Sequence, residues 1–405
     1  MSEAEEKKIL IVGGGFGGIK ASLELAEDER FRVTLLSDKP NFRYYPNLFQ
    51  TATGGRAVES SIPLKSIFAE ESVELATGQA DKLDRKSKTI HTVDGKIHHY
   101  DILILALGVI TNYFGIKGLE EYAYGIKSLE EAERLKAHLH QQLTDEHEPD
   151  LNYVIIGGGP TGIELAGQLP QYMRHIMKKH GIRNRSIHID LVEAAPSLVP
   201  RLPKDAQKAI AKQLRRLGIK LYLGQTVQAE TADALMVNNR PISSHTVIWT
   251  AGVTNNPFFK INDFVLTDHG KVVVNESLQA ESDIYVLGDN ANTQYSGMAQ
   301  TALYDAIFVA HNIKRTASGE KLQPYQPKEP ISVIPAGPHW SAVVYGKIRL
   351  YGWLGWVLRE AANFVAFRDI EPWWKAGAQW MTEFGNEESC PVCMAASINQ
   401  SKKIL

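Results

Sequence analysis

Six glycines define the first chemistry open to this chain. Gly13, Gly15 and Gly18 fall at the spacing G-x-G-x-x-G within ILIVGGGFGGIKASLELA, and Gly157, Gly159 and Gly162 repeat it within VIIGGGPTGIELAG. In such a finger the first glycine makes a tight turn and the second lets the backbone approach a pyrophosphate. The third lets the helix pack closely on its strand. The phosphates then sit at a helix N-terminus, where free N–H groups and the helix dipole favour negative charge. Phe16 and Gly17 in the first finger, and Pro160 and Thr161 in the second, belong to the same cradles. A lone finger is weak evidence, because glycine-rich turns also arise for steric reasons. Two complete strand–finger–helix units in one chain are much more specific.

The fingers require elements to position them. Ile9 to Val12 and Val154 to Ile156 read as buried parallel strands, each followed by a helix-forming run. The end of the next strand should reveal the ligand. SIHIDLVEAA ends a strand at Glu193, with no arginine close behind. An acid there accepts hydrogen bonds from an adenosine ribose and repels a 2′-phosphate, which favours NADH over NADPH. An ordinary exposed glutamate at a strand end is the alternative. After the first finger, RVTLLSDKP ends in Ser37 and Asp38, with the acid one place later than the usual register. FAD at the first finger and NADH at the second is the economical assignment. A third segment, SDIYVLGDNANT, reads as a strand from Ile284 to Leu287 followed by Gly288 and Asp289, whose carboxylate can bind a ribityl chain. Two further apolar strands, ending near Gly108 and Gly252, mark the crossings between two domains.

The bulk composition agrees with this plan. A chain of 405 residues suggests two or three domains, and 44% hydrophobic with 22% charged residues is ordinary for a globular protein. A net charge of -2 gives no reason to expect nucleic acid. The opening MSEAEEKK does not read as a secretory signal, and no run of 18 apolar residues is present. The two cysteines, Cys390 and Cys393, leave no disulfide framework and fit a reducing cytosol. They form a C-x-x-C that reads either as half a zinc site or, the favoured reading, as two reduced thiols; no metal site is expected.

The order finger, finger, then G-D resembles the two-dinucleotide-binding-domain flavoproteins, in which an NAD domain is inserted within an FAD domain. Within that group the chain resembles the type II NADH dehydrogenases, single-chain NADH:quinone oxidoreductases, over roughly residues 7 to 367. The resemblance is carried by ALGVITNYFGIKG, FQTATGG, GGGPTGIELAGQL, WTAGV and MAQTALYDAIFVAHNI. It implies an α/β fold of two Rossmann-like dinucleotide-binding domains plus a C-terminal membrane-docking region. The expected division is a first FAD segment (1–117), an NADH domain (118–254), a second FAD segment (255–325) and a membrane-associating region (326–405). It also implies Glu164 near the nicotinamide and flavin, and Gln300 beside a quinone headgroup. Each has a plainer alternative: an acid in a first helical turn, and a helix-start amide satisfied by backbone. Gln300 and Thr301 open a helix whose positive end would face the flavin. The family usually has a second glutamine where this chain has Tyr304, which leaves the quinone pocket less defined. Lys347 is a remote candidate for that pocket, a strand-edge lysine being the simpler reading.

Disulfide reductases of this group need a redox cysteine pair soon after the first finger, and sulfide:quinone reductases need cysteines from mid-chain. Neither is present, although LLSDKPNFRYYP looks like the latter enzymes' version of that segment. A sulfide:quinone reductase-like flavoprotein and an NADH-sensing flavoprotein stand as alternatives. Five of the seven tryptophans fall between Trp353 and Trp380, around the apolar but interrupted LYGWLGWVLREAANFVAF. Tryptophans with charged neighbours favour a membrane–water interface. The expectation is a peripheral protein on the cytoplasmic face of the cell membrane. A buried helix or the seam of a homodimer is the alternative.

Overall fold

The computed structural model describes residues 6–57, 60–145, 147 and 149–368. Strands made wholly of Val, Ile and Leu can be stable only where both faces of a sheet are covered. The strand Lys7–Val12 meets that condition at the middle of a six-stranded sheet, pairing in parallel with Phe31–Ser37 on one side and Ile102–Leu105 on the other. Beyond these lie Val73–Thr77 at one edge and, at the other, Ile284–Val286 with a short antiparallel strand, Gln279–Glu281. One face, with Ile9, Ile11 and Ile104, packs with Ile19 and Leu25 of the helix Phe16–Ala26 and with Val309 and Ile313 of the helix Ala299–Ala317. The other face, with Leu10, Val12 and Leu103, packs on Phe258, Phe259 and Ile90.

The second finger follows Asn152–Ile156, in a separate parallel sheet with His188–Glu193, Lys220–Leu223 and Thr246–Trp249. The helices Leu129–Thr144 and Pro160–Lys179 contribute Leu135, Leu139, Leu165 and Leu169 to the core beside it. The chain passes between the sheets twice, and the two crossings pair as antiparallel strands, Val109–Thr111 with Val253–Asn255. Asn290 fastens this junction. It is fully buried, its amide oxygen accepts from Gly108 N–H at 2.9 Å, and its Nδ2 donates to the Gly108 carbonyl at 2.7 Å and to Asn255 Oδ1 at 2.6 Å.

After the second sheet region the strands Ser332–Pro335, Ser341–Tyr345 and Ile348–Gly352 form a small antiparallel sheet. It packs on the helix Pro160–Lys179 so closely that a Cβ on Gly167 would lie 2.2 Å from the Gly337 nitrogen. The Tyr351 hydroxyl donates to Asp205 at 2.8 Å, tying the same sheet to the helix Lys204–Arg216. The helix Trp353–Arg368 then reverses the usual polarity of a surface helix. Trp353 and Leu354 are 62% and 57% exposed, with Val357, Leu358 and Val365 also exposed, whereas Arg359, Glu360 and Asn363 are buried. No helix among the described residues is long and apolar enough to cross a membrane. Trp373, Trp374, Trp380, Cys390 and Cys393 lie outside the described residues.

Candidate active site

The two fingers have nearly the same local geometry. Gly13 and Gly157 both adopt positive φ, 120° and 116°, which an L side chain would resist. A Cβ on Gly18 would sit 1.8 Å from the Gly13 carbonyl oxygen, and one on Gly162 would sit 2.0 Å from that of Gly157. Those glycines are therefore fixed by packing of helix on turn. Gly15 and Gly159 differ: a Cβ at either would meet nothing within 4 Å. Their lack of a side chain leaves open space above a helix N-terminus. Neither helix start has a side-chain cap or an acid in its first turn, so its free N–H groups remain available to an anion. These features fit a pyrophosphate at each turn.

The first turn and the start of the helix after the second turn face one cleft of about 730 Å³, within the range of small-molecule sites; Gly157, Gly159, Gly162 and Glu193 do not line it. Gly13, Gly15, Phe16 and Gly17 line it from the first finger, and Pro160, Thr161 and Glu164 from the second. Ser37, Asp38, Gly108, Asp289 and Gln300 line it as well. Phe16 is held edge-on to Phe42 at 4.9 Å between ring centroids.

The register of the two acids has a physical resolution. Glu193 ends its strand beside the second turn, accepting from Gly158 N–H and Ala195 N–H, each at 2.6 Å. At the first turn the same place is taken by Ser37, whose Oγ would lie 2.5 Å from a Cβ on Gly14. Asp38, one residue on, is displaced from that position and pairs with Arg43 at 3.6 Å.

Glu164 is the fifth residue of the helix Pro160–Lys179, just past its first turn. Burial pushes its carboxyl up to about 8, with the Arg359 guanidinium pulling the other way. A smaller cavity of about 70 Å³ joins Glu164 to Arg359, Ala362 and Asn363 of the C-terminal helix and to Pro46. Arg359 pairs with Glu360 at 2.7 Å, away from water on both sides. Gln300 accepts from the Ile331 N–H at 2.8 Å, and its amide nitrogen has no hydrogen-bond partner among the described residues. That leaves both N–H donors of the amide for a carbonyl oxygen.

Several expected residues lie elsewhere. The Thr301 hydroxyl donates to the Tyr295 carbonyl at 2.8 Å and is buried in the loop that precedes its helix. Gly252 packs on the crossing segment: a Cβ there would lie 2.5 Å from the Asn112 carbonyl oxygen and the Phe114 ring. The Tyr304 ring lies against Lys328, 5.1 Å from its ammonium, and does not line either cavity. Lys347 is on the exposed turn between Ser341–Tyr345 and Ile348–Gly352, also outside both cavities. Conversely, the cleft includes Arg43, Tyr45, Lys127 and Glu131, and Arg359 lines the cavity behind Glu164; none of these has a motif spacing that marks it. The sequence signal for Asn290 was its place directly after Gly288 and Asp289.

The family model for pyridine nucleotide-disulphide oxidoreductases matches residues 7–306, which takes in both fingers and the G-D turn. The chain belongs to the pyridine nucleotide-disulphide oxidoreductase family. It is a member of that family with no cysteine in the matched segment, so no redox disulfide is available there. Relatives include the type II NADH:quinone oxidoreductase of Staphylococcus haemolyticus, 27% identical over 369 residues, covering 85% of this chain and 91% of that protein. The protein of the same name from Staphylococcus aureus strain NCTC 8325 is 25% identical over 368 residues, with the same coverage. Among solved structures, NDH2 from Plasmodium falciparum in complex with NADH superposes with a TM-score of 0.84 at 17% identity, covering 94% of this chain and 98% of that one. The sulfide:quinone oxidoreductase of Aquifex aeolicus superposes at 0.77 and 20% identity, covering 92% of each chain. These structures share the fold of this family member.

Proposed function

We propose that this protein is an FAD-dependent NADH:quinone oxidoreductase, non-electrogenic and docked on a membrane surface. The observation that carries the reading is that the first finger turn and the start of the helix after the second finger open into one cleft with Glu164 and Gln300 on its wall. The type II NADH:quinone oxidoreductase relatives support it. When bound, FAD supplies the two-electron chemistry, accepting a hydride equivalent from NADH and returning electrons to the quinone.

The chain supplies position, field and protons. Gly13, Gly15, Phe16, Gly17 and Gly18 hold the FAD pyrophosphate, with Ser37 and Asp38 toward its adenosine ribose and Gly108 and Asp289 along the remainder. The positive end of the helix Ala299–Ala317, at Gln300 and Thr301, favours negative charge in front of it. Gly157, Gly159, Pro160, Thr161 and Gly162 seat NADH, Gly252 keeps the adjoining crossing close, and Glu193 presents a carboxylate to its ribose. Glu164, protonated near neutral pH, holds a proton where quinone reduction requires one. The Gln300 amide donates to a quinone carbonyl, with Tyr304 one helical turn further out.

In this reading residues 1–117 and 255–325 form the FAD domain, 118–254 the NADH domain and 326–405 the membrane-associating region. The outward apolar face of Trp353–Arg368 supports docking on lipid, since a surface helix in water ordinarily points its charges outward. The cytoplasmic face of the cell membrane is the side on which NADH would be met. A homodimer seam is the competing use of that helix. The fold alone also allows a sulfide:quinone reductase, but the matched segment has no cysteine to receive sulfur.

The experiment is stopped-flow measurement of each half-reaction in the wild type and in Gln300→Ala. Flavin reduction by NADH should be nearly unchanged, and oxidation by a soluble quinone should slow at least tenfold. Equal loss in both steps would place Gln300 in support of the flavin. A wild type that reacts with NADH but not with quinone would leave an NADH sensor as the better reading.

A further inference from the structure

An unmatched cation lies in the same cleft. Lys127 directly precedes Ser128, the N-cap of the helix Leu129–Thr144, and it lines the cleft. Its backbone N–H and that of Ser128 donate to Glu131 Oε2 at 2.5 and 3.2 Å, while the Ser128 hydroxyl accepts from Glu131 N–H at 3.1 Å. This capping box fixes the loop and so the origin of the side chain. The Lys127 ammonium lies 4.7 Å from the centroid of the Tyr45 ring. Among the described residues it has no ion-pair or hydrogen-bond partner. Burial lowers its proton affinity; Asp289 raises it, Arg43 lowers it and Glu131 raises it.

Lys127 is half-buried, and holding an ammonium partly out of water with no counter-charge in contact is unfavourable, so such a group suits a place where negative charge arrives. The phosphates already have seats at the two uncapped helix starts. Turnover brings charge of another kind. A hydride equivalent from NADH carries two electrons and one proton, leaving the cleft one unit more negative. Quinone departs as quinol with two electrons and two protons, so charge is restored only when a second proton enters. Tyr45, the ring beside Lys127, is followed by Pro46, which lines both the main cleft and the cavity shared with Glu164. That places Lys127 toward the reacting end.

We propose that Lys127 is a positioning charge that matches the extra negative charge of the reduced cleft and thereby raises the reduction potential of bound FAD. The inference rests on the reading of the cleft as an FAD site. It does not require Lys127 to touch the reacting atoms.

The test uses full-length Lys127→Met, Lys127→Gln and Lys127→Arg, each purified with its FAD content measured. Spectroelectrochemical titration then gives the two-electron midpoint potential. Met and Gln should both shift it downward, Arg should keep it at the wild-type value, and FAD content should be the same in all. An unchanged potential in the neutral variants overturns the proposal. So does loss of FAD from them with a wild-type potential in the fraction still loaded, which would make Lys127 a phosphate clamp. If Met fails to fold, Gln, equally long, polar and neutral, decides alone. Wild-type protein that takes up no FAD would instead refute the functional reading on which the proposal stands.

Discussion

Glu193 and Glu164 are both acids at the second finger, yet their surroundings give them opposite tasks. Glu193 accepts two backbone N–H bonds, which hold a carboxylate in place beside the turn. Glu193→Ala should weaken NADH about tenfold, as expected for hydrogen bonds to a charged group. It should leave NADPH nearly unaffected, so the ratio of kcat/KM values narrows. A wild type that uses NADPH as readily as NADH would contradict the role given to Glu193. Glu164 is instead held protonated to about pH 8 by burial, opposed by Arg359. A raised carboxyl is a proton donor below that value and loses the proton above it. The quinone half-reaction should therefore fall as pH climbs through about 8, while flavin reduction by NADH stays flat. Arg359→Gln removes the charge that holds the carboxyl down, so the falling limb should move to higher pH. An unchanged limb in both Glu164→Gln and Arg359→Gln would mean that another group titrates. Arg359 could not be foreseen, because it comes from a helix far along the chain with no spacing that links it to the second finger.

At the scale of elements, the parts dictated by local sterics were legible and those dictated by tertiary approach were not. The glycine spacing marked both turns, and the unbroken apolar runs marked the central strands, because such strands have only one stable environment. The G-D step marked the third cleft segment. Thr301 and Gly252 fall beside cleft residues in sequence, but a loop carbonyl and an aromatic ring take up their contacts. Ser37 in place of an acid is explained only by seeing Gly14 against it. The helix Trp353–Arg368 shows most clearly what composition cannot supply. Its sequence is apolar with a few charges, and only the packing shows that Arg359 and Glu360 face inward. Leu354→Glu with Leu358→Glu should release the protein from lipid vesicles. Each leucine that enters lipid contributes about 1.5–3 kcal/mol, so losing two lowers partitioning at least a hundredfold. Co-sedimentation at low salt reads this, and flavin reduction by NADH should be unchanged. Wild-type protein that stays in the supernatant, and a mass that halves on substitution, would show a dimer seam instead.

Across the whole molecule, two parallel sheets meet at paired crossing strands, and Asn290 ties that junction to the turn bearing Asp289. The C-terminal sheet packs on the helix that carries Glu164, and the helix Trp353–Arg368 packs on the same sheet, so that helix and the second finger share one support. In the proposed function one cleft takes electrons from NADH and gives them to a quinone. Anaerobic titration of the purified protein with NADH, followed at the flavin absorbance and then by a pulse of soluble quinone, separates the two electron transfers. One equivalent of NADH per flavin should bleach the absorbance, and one equivalent of quinone should restore it. Protein that carries no flavin, or whose bleached absorbance does not return with quinone, would contradict this function.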